Sequence, residues 1–472
     1  MTQTKTQQSN PQIFTIWSDE IKGRIDPYFF SAEIKDFRNK LSKTKTVKLG
    51  EIIEVITKGE TPLWRGDDYQ NEGVPFLKVQ NITPENIKGK IVYISEKVDK
   101  RMKRSQLFGG ELLYTMAGSI GIATIFPENF GRANINQAIA KIVLKSEINK
   151  KYIKIMLNSD LCKKQAEMAL TAVAQPNINF EQIKSIKIPL PSLPIQNKIV
   201  SIMSKAYEEK KRKEIKAGEI LNSVDDFVLK ELGIKMPEIE KEMVFEVWSD
   251  EVENGRIDPY FYSSIFMDTI NLLDNLKTET IKLGEVVEIF SGARPKGGVG
   301  NILEGIPSLG GEHVLSSGEI KTEKLKFIPV DFHRSHLDSA VKINDVLLVK
   351  DGATTGKVGI IPKNYPYKDC NINEHVFAIR IKDKKIIPKY IFAFLNSGLG
   401  QSQIKREITG ATVTGLTRES VKNLQIPILP LNIQKKISEK IELYYSQSKT
   451  LQKEAKEVLE NAKEKVEKMI LK

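Results

Sequence analysis

One loop of the sequence has the residue types with which proteins bind phosphate groups. Residues 352–357 read GATTGK, close to the GxxxxGK[ST] loop that binds nucleotide phosphates. The loop is one residue shorter than that pattern, and Val358 follows Lys357 where the pattern requires Ser or Thr. Because apolar, β-rich runs stand on both sides of it, we interpret the loop as the turn of a β-hairpin.

A second candidate motif occurs twice, as DPYF beginning at Asp26 and again at Asp258. It resembles the DPPY motif of adenine methyltransferases. It lacks the second proline, however, and no glycine-rich cofactor loop precedes either copy. We therefore interpret both copies as structural turns at the start of a domain.

Metal and thiol chemistry find little support in the sequence. The only histidines are His313, His333, His336 and His375, and no two of them stand at i, i+4 helical spacing. Cys162 and Cys370 are the only cysteines, which leaves no CxxC pair and no disulfide framework. No GxSxG nucleophile motif is present. The sequence predicts no catalytic site, no metal site and no cofactor bound by this chain.

Composition points instead to binding a polyanion. The 472 residues contain 72 Lys and Arg against 60 Asp and Glu, a formal net charge of +12. Such an excess favours nucleic acid as a partner, with a merely soluble basic protein as the alternative. The N-terminus lacks the apolar core of a signal peptide, and no apolar run of about 18 residues could cross a bilayer. We expect a cytoplasmic protein with no membrane partner.

The segments that would position binding residues occur twice in the sequence. FTIWSDEIKGRIDPYFFS at residue 14 returns as FEVWSDEVENGRIDPYFYS at residue 245, and KLGEIIEVITKGETP at residue 48 returns as KLGEVVEIFSGARP at residue 282. IPLPSLPIQNKI at residue 188 returns as IPILPLNIQKKI at residue 426. The stretches 63–100 and 296–338, in contrast, barely align. A tandem duplication with unlike interiors favours two binding surfaces for two targets, while a purely structural duplication remains the alternative.

Each repeat has the pattern of a mixed α and β domain. The KLGE segments predict a strand, or a short helix and strand, leading into a glycine loop. ELLYTMAGSIGIATIF and DVLLVKDGATTGKVGII have the hairpin pattern, and KYIKIMLNSDLCKKQAEMAL and KYIFAFLNSGLGQSQIKREI have apolar residues at helical spacing. The predicted fold class is α+β.

A long proline-free stretch follows each repeat and predicts a long helix. In the second copy the apolar or small positions recur every three or four residues, at Ile433, Ile437, Ile441, Tyr444, Ser448, Leu451, Ala455, Val458, Ala462, Val466 and Met469. The first copy keeps the pattern at Ile195, Ile199, Ile202, Ala206, Ala217, Ile220, Val224 and Val228. Such spacing predicts a coiled-coil seam, and we expect the two helices to pair as an antiparallel spacer. Ordinary amphipathic helices packed on their own domains are the alternative.

In the order of these segments the chain resembles the specificity subunits of type I restriction-modification systems. The similarity rests on the RIDPYF segments at Arg24 and Arg256, the LGE and GETP residues between Leu49 and Pro62, and AVAQPNINFEQIKSIKIPLPSLPIQNKI before the first long helix. It covers nearly the whole chain. The second repeat departs from it, because Arg294 replaces Thr61 before the shared proline and TGATVTGLT replaces the QPN segment.

The resemblance implies two target recognition domains that read a bipartite double-stranded DNA site, separated by two long antiparallel coiled-coil helices with pseudo-twofold symmetry. The expected segments are 1–190 for the N-terminal domain, 191–235 for the central helix, 236–428 for the C-terminal domain and 429–472 for the distal helix. The implied partners are two modification (methyltransferase) subunits and restriction (translocase and nuclease) subunits. S-adenosylmethionine, ATP and Mg²⁺ are expected on those partners, and no cofactor on this chain.

Candidate DNA contacts are polar and basic residues in loops, because base edges require paired donors and acceptors and phosphates require Lys, Arg and turn amides. In the first domain they are Lys58, Trp64, Arg65, Lys78, Gln80, Asn81, Ser119, Arg132, Asn136, Gln137 and Gln175. In the second they are Arg294, Lys296, His313, Thr354, Thr355, Lys357, His375 and Thr412. A solvated surface position is the alternative for each.

Two other functions remain open at this point. A self-contained DNA methyltransferase or nuclease would need a cofactor loop or a nucleophile motif, and neither stands in the sequence. A repeat scaffold that binds only proteins would not need the basic charge or the diverged polar loops. The sequence favours a non-catalytic DNA-reading subunit over both.

Overall fold

The structure is a computed structural model, and it describes residues 31–62, 66–170, 176–236, 246–248, 252, 256–298, 302, 304–409 and 415–470. The chain divides into two compact units, residues 1–212 with 454–472 and residues 213–453. Each unit therefore contains one repeat and a part of each long helix. Within the described ranges, no helix combines the length and the apolar character needed to cross a membrane.

The first unit alternates short strands and helices. Its strands are β1 (Thr46–Lys48), β2 (Ile53–Lys58), β3 (Val74–Leu77), β4 (Val92–Ile94), β5 (Leu112–Thr115), β6 (Ala123–Ile125), β7 (Asn134–Ile135), β8 (Ile139–Leu144) and β9 (Lys187–Pro189). Its helices are α1 (Ala32–Lys43), α2 (Leu49–Ile52), α3 (Glu96–Arg101), α4 (Lys150–Leu157), α5 (Asp160–Ala169), α6 (Phe180–Ser185) and the first part of α7 (Leu193–Leu232).

Two sheets stack in this unit. A four-stranded antiparallel sheet has the order β2-β8-β5-β6, and a three-stranded sheet has the order β4-β3-β7 with β3 and β7 parallel. Alternate residues of β5 point to opposite faces: Leu112 and Tyr114 pack toward the helices, and Leu113 packs toward Leu77 and Ile135 of the second sheet. Apolar burial on both faces explains why these strands read as nearly continuous hydrophobic runs.

The second unit repeats this order. Its strands are β10 (Thr280–Lys282), β11 (Val287–Ser291), β12 (Ile306–Leu309), β13 (Lys326–Ile328), β14 (Val346–Val349), β15 (Val358–Ile360), β16 (Asn371–Ile372), β17 (Val376–Ile381) and β18 (Gln425–Pro427). Its helices are α8 (Ser264–Asp274), α9 (Leu283–Val286), α10 (Val330–Ser335), α11 (Pro388–Asn396), α12 (Gly398–Glu407), α13 (Arg418–Lys422) and much of α14 (Leu431–Ile470). The sheets are β11-β17-β14-β15 and β13-β12-β16, with β12 and β16 parallel. The predicted α+β class and both predicted hairpins are confirmed.

The Leu-Asn-Ser sequence breaks the predicted helix of each repeat into two. Asn158 Nδ2 donates to the carbonyl oxygen of Ala123 at 2.7 Å, and Asn396 Nδ2 donates to that of Val358 at 3.4 Å. These bonds tie the end of α4 or α11 to the neighbouring hairpin. The next residue, Ser397, accepts a hydrogen bond from the backbone of Gly400 and begins a new helix. Sequence periodicity alone did not reveal this break.

The two long helices are each 40 residues, a length of about 60 Å. In the second unit Ser448 donates to the carbonyl oxygen of Ala217 at 3.1 Å, and Lys436 pairs with Glu231 at 2.7 Å. The earlier residue of α7 contacts the later residue of α14, and the later residue of α7 contacts the earlier one. The helices therefore run antiparallel there. All eleven predicted seam positions of α14 are buried or half-buried, and two of them, Ile437 and Ile441, also belong to the core of the second unit.

One seam position of α7 is predicted wrongly. Ile195 is exposed, and its neighbour Gln196 is buried instead. The Gln196 amide donates to the carbonyl oxygen of Pro191 at 2.8 Å, across the first turn of the helix. Gln434 makes the matching bond to Leu429 in α14. The side chain that bonds the carbonyl oxygen before the helix therefore takes the inward position, and the apolar residue beside it faces solvent.

Candidate nucleic-acid interface

Several loops of the first unit meet where strands of its two sheets end. We call this the first strand-end cluster, formed by residues 58–61, 78–81, 117–119 and 136–138. The amide of Asn136 donates to the carbonyl oxygen of Leu77 at 3.1 Å, which joins the loops after β7 and β3. A Cβ placed on Gly118 would lie 3.7 Å from Val79, which brings the β5–β6 turn to the same place.

The second unit has an equivalent second strand-end cluster, formed by residues 291–296, 310–313, 350–357 and 373–375. The amide of Asn373 donates to the carbonyl oxygen of Leu309 at 2.8 Å, as Asn136 does to Leu77. Thr354 Oγ1 lies 3.4 Å from the carbonyl oxygen of Gly311, and the amide of Lys350 donates to His375 at 2.9 Å. The two repeats thus build the same loop arrangement from different residues.

A glycine in each cluster permits a close crossing of two backbones. A Cβ on Gly59 would stand 1.6 Å from the carbonyl oxygen of Ile135, and a Cβ on Gly292 would stand 1.8 Å from that of Asn373. No side chain fits at such distances, so glycine is required at both positions. The crossing brings the loop after β2 or β11 against the turn that precedes β8 or β17.

That turn has the same construction in both repeats. The side-chain oxygen of Asn136 accepts from the amide of Ala138 at 3.2 Å, and that of Asn373 accepts from the amide of His375 at 3.0 Å. Asparagine stabilises such turns by bonding its own backbone two residues on. The middle residue, Gln137 or Glu374, is thereby presented by a fixed backbone while its identity differs between the repeats.

Asn81 and His313, both predicted DNA contacts, occupy equivalent buried positions. The side chain of Asn81 accepts from the amide of Lys78 at 2.9 Å and donates to the carbonyl oxygens of Lys88 and Lys90. His313 Nδ1 accepts from the amide of Gly310 at 2.9 Å. These bonds give both side chains a role inside the loop that follows β3 or β12.

The other predicted residues of the first domain take different positions. Lys58, Gln80 and Ser119 are exposed in the first cluster, with Asn136 and Gln137 half-buried beside them. Arg132 lies outside the cluster, because it stands before β7, whereas Asn136 of the cluster stands after that strand. Arg132 pairs with Glu96 and Asp99. Trp64, Arg65 and Gln175 lie outside the described residues.

Lys78 extends over an aromatic ring at the edge of the first cluster. Its Nζ lies 4.0 Å from the centre of the Tyr69 ring, a cation–π contact. Burial raises the pKa of Tyr69, so the phenol beneath this ammonium group stays neutral at physiological pH. The contact positions one positive charge next to the loop after β3.

The second cluster contains several charged pairs. Arg294 Nε lies 2.8 Å from Glu374 Oε1, and His375 contacts Asp351 through Nδ1 and Glu374 through Nε2, the latter at 3.4 Å. Lys296 is exposed, and Thr354, Thr355 and Lys357 lie half-buried in the β14–β15 turn. Thr412 lies outside the described residues.

The two motifs with possible chemistry have structural roles. Residues 352–357 form the turn between β14 and β15, where Thr355 bonds the carbonyl oxygen of Gly352 at 2.7 Å and no helix follows. Asp258 accepts from the amide of Phe261 at 3.0 Å and begins a short 3-10 helix. The hairpin-turn interpretation of residues 352–357 is confirmed, and so is the structural-turn interpretation of the second DPYF copy. The first DPYF copy lies outside the described residues.

Several cluster residues were not identified from the sequence, among them Thr61, Asp351 and Glu374. Thr61 stands at the position that Arg294 occupies in the second repeat, and Glu374 stands at that of Gln137. Alignment of INQAI with INEHV, within the same chain, was the available signal for Glu374. All the predicted contacts are side chains that can donate hydrogen bonds, a class that does not include the carboxylates of Asp351 and Glu374.

A protein-family model described as the type I restriction modification DNA specificity domain matches residues 42–217 and again 275–461. The chain is 25% identical over 439 residues to the putative type I restriction enzyme MjaX specificity subunit of Methanocaldococcus jannaschii, covering 90% of this chain and 92% of that protein. It is 26% identical over 305 residues to the MjaVIII specificity subunit of the same organism, covering 63% of this chain and 64% of the relative.

Solved structures give the same kind of match. An S subunit of a type I restriction-modification system from M. genitalium is 14% identical with a TM-score of 0.42, covering 90% of this chain and 96% of that one. A chain from a structural study of complex assembly in the type I R-M system has a TM-score of 0.48, with the same identity and coverage.

Proposed function

Since the chain belongs to the type I restriction modification DNA specificity family and carries the family's domain twice, we propose that it selects a bipartite DNA sequence, with one strand-end cluster reading each part. The observation that carries this proposal is the pair of equivalent clusters. One backbone framework presents unlike side chains in the two repeats, as expected of two surfaces that read two different sequences.

The clusters have the chemistry that duplex DNA requires. Exposed lysines such as Lys58 and Lys296 suit phosphate oxygens, which orient a protein on the duplex without reporting its sequence. Amide and guanidinium side chains such as Gln137 and Arg294 suit the donors and acceptors of the major groove. Fixed turns hold the backbone of these loops in place, so little loop entropy is lost on binding.

We propose that the bond-making steps belong to partner subunits. The relatives are specificity subunits of restriction enzymes, so the expected partners are modification subunits and restriction subunits. The duplicated frame would give two similar docking surfaces, and hence two modification subunits for each copy of this chain. S-adenosylmethionine would be bound by the modification subunits, and ATP with Mg²⁺ by the restriction subunits.

A gel-shift series with a pool of random DNA duplexes tests this function. The purified chain, with and without a modification subunit, should retard duplexes. Binding should weaken steeply with added salt because phosphate contacts release counterions. Methyl transfer or cleavage by the chain alone would contradict the proposal in favour of a self-contained enzyme. A failure to bind DNA in both conditions would leave a protein-binding scaffold.

A further inference from the structure

The same two positions contact each other in both strand-end clusters, but with different chemistry. Thr61 and Arg294 each stand two residues after the crossing glycine, and Gln137 and Glu374 each stand at the middle of the asparagine turn. In the first cluster the Thr61 hydroxyl contacts the side-chain oxygen of Gln137. In the second, Arg294 Nε lies 2.8 Å from Glu374 Oε1.

Both members of the pair differ between the repeats, and they differ in a matched way. A neutral pair of hydroxyl and amide in one repeat corresponds to an ion pair of guanidinium and carboxylate in the other. Changing one member alone would leave Arg294 beside an amide, or Glu374 beside a hydroxyl, without the opposite charge. A matched difference of this kind is expected of two residues that act as one unit.

The second pair keeps an arginine that is open to solvent. The Arg294 side chain is 60% exposed, and its closest approach to Glu374 is made by Nε. Neither Glu374 carboxylate oxygen accepts a well-aligned hydrogen bond within that same part of the chain, although both are buried. Carboxylate oxygens in this condition normally have a partner. The Glu374 carboxylate, which also lies 3.4 Å from His375 Nε2, therefore holds a guanidinium group on a largely exposed side chain.

The arginine of one pair and the glutamine of the other have hydrogen-bonding groups that suit particular bases. Paired Arg donors recognise O6 and N7 of guanine, while a glutamine amide recognises N6 and N7 of adenine. We propose that this pair is a base-selecting unit: Arg294, held by Glu374, selects guanine in the part of the site read by the second repeat, and Gln137, held by Thr61, selects adenine in the part read by the first. The inference rests on the proposed function, which leaves open which residues select which bases.

Exchange of the pairs between the repeats tests this assignment. The full chain, assembled with its modification subunits, is used to select sequences from a random duplex library. The variant Arg294→Thr with Glu374→Gln should lose guanine preference at one position, by about tenfold or more, with the other part of the site unchanged. The variant Thr61→Arg with Gln137→Glu should change one adenine to guanine in the opposite part.

Two further variants keep the test decisive. Arg334→Thr is the matched control, since Arg334 is 74% exposed on α10, outside the cluster, and pairs with the exposed Asp331. It should leave both parts of the site unchanged. Glu374→Gln alone preserves size and Arg294, and should weaken the guanine preference without moving it. This variant decides the question if the double variants do not fold.

The possible outcomes separate the base assignment from the proposed function. Unchanged preferences in both exchange variants, or a loss of affinity that is equal for all sequences, would overturn the base assignment. A Glu374→Gln protein with full guanine preference would overturn the supporting role of the carboxylate. If the wild-type complex selects no sequence at all, the proposed function fails first.

Discussion

At the scale of single residues, side-chain type was easier to anticipate than side-chain position. The sequence placed Asn81 and His313 among polar loop residues, and they do lie in loops. Both are buried, however, because each satisfies backbone groups of its own turn. Sequence reasoning cannot distinguish an amide that bonds its own loop from one that faces a ligand, since local sequence is the same in both cases. Conversely, the contact with Arg294 shows the importance of Glu374, which the sequence indicated only by its alignment with Gln137.

Lys357 gives a residue-scale prediction about phosphate contacts. Its side chain is half-buried in the β14–β15 turn of the second cluster. If it contacts phosphate, Lys357→Ala should lower affinity equally for all sequences and reduce the salt dependence by about one counterion. Binding titrations over a range of salt concentrations, with specific and random duplexes, measure both effects. A changed sequence preference would instead assign Lys357 to base reading.

At the scale of secondary-structure elements, periodicity predicted the hairpins, the long helices and the α+β class. Periodicity did not predict the break between α4 and α5, because Asn158 bonds a neighbouring strand that is distant in sequence. Periodicity also did not predict that Ile195 is exposed. The reason is similar, since Gln196 is buried and donates a hydrogen bond to a backbone carbonyl. Both errors arise where a polar side chain satisfies the backbone and thereby overrides an apolar pattern.

The crossing glycines give a prediction for the loops of each cluster. Gly292→Ala places a Cβ 1.8 Å from the carbonyl oxygen of Asn373, so the loop must move away from the turn. We expect a loss of about 1–3 kcal/mol in the free energy of unfolding and loss of sequence preference in one part of the site only. Gly59→Ala should affect the other part. Thermal unfolding and sequence selection measure the two effects.

Gly218→Ala is the matched control for these substitutions. Gly218 lies within α7, and an added Cβ would meet nothing within 4 Å. Alanine is favoured over glycine inside a helix by up to about 1 kcal/mol, so this variant should be as stable as the wild type or more so. Equal losses in all three variants would contradict the account of the crossing.

Asp225 of α7 gives a prediction about pH. Its carboxylate accepts from the amide of Gly398 at 2.7 Å. Burial raises the pKa of Asp225, the hydrogen bond from Gly398 lowers it, and the nearby charge of Asp226 raises it, with a net rise. Because the pKa in the folded state exceeds the unfolded value, the stability from this group is present below the unfolded pKa and is lost as pH rises through the folded pKa.

Asp225→Asn should therefore gain stability relative to the wild type between roughly pH 3.5 and pH 7, since it removes the ionisation and keeps an acceptor for Gly398. Urea unfolding at both pH values measures this difference. Asp268→Asn, at an exposed position of α8, is the control for removing one surface carboxylate. A relative gain for the wild type over the same range would show that the carboxylate is stabilised by folding.

At the scale of the whole molecule, the two 40-residue helices give a prediction about the gap between the two parts of the site. Insertion of one heptad in each helix adds about 10 Å, or roughly three base pairs. Insertions after Arg212 and after Lys453 coincide with the division between the two compact units. They also retain the Lys210–Glu85 and Lys449–Glu319 ion pairs.

We expect this double insertion to leave both parts of the recognised sequence unchanged and to lengthen the gap between them. Methylation mapping with the assembled complex measures both properties. Insertion in α7 alone is the control, and it should impair assembly because the seam loses its register. Altered sequences with the original gap would mean that helix length does not set the spacing.

The central claim is that this chain selects one DNA sequence in two parts, and mapping of methylated sites in the source cell tests it most directly. Genome-wide methylation is compared between cells with the gene, cells lacking it and cells carrying the chain with Arg294→Thr and Glu374→Gln. The account predicts a motif of two unlike parts around a fixed gap, lost on deletion and altered in one part by the double variant. A motif that survives deletion, or an undivided motif, would contradict it.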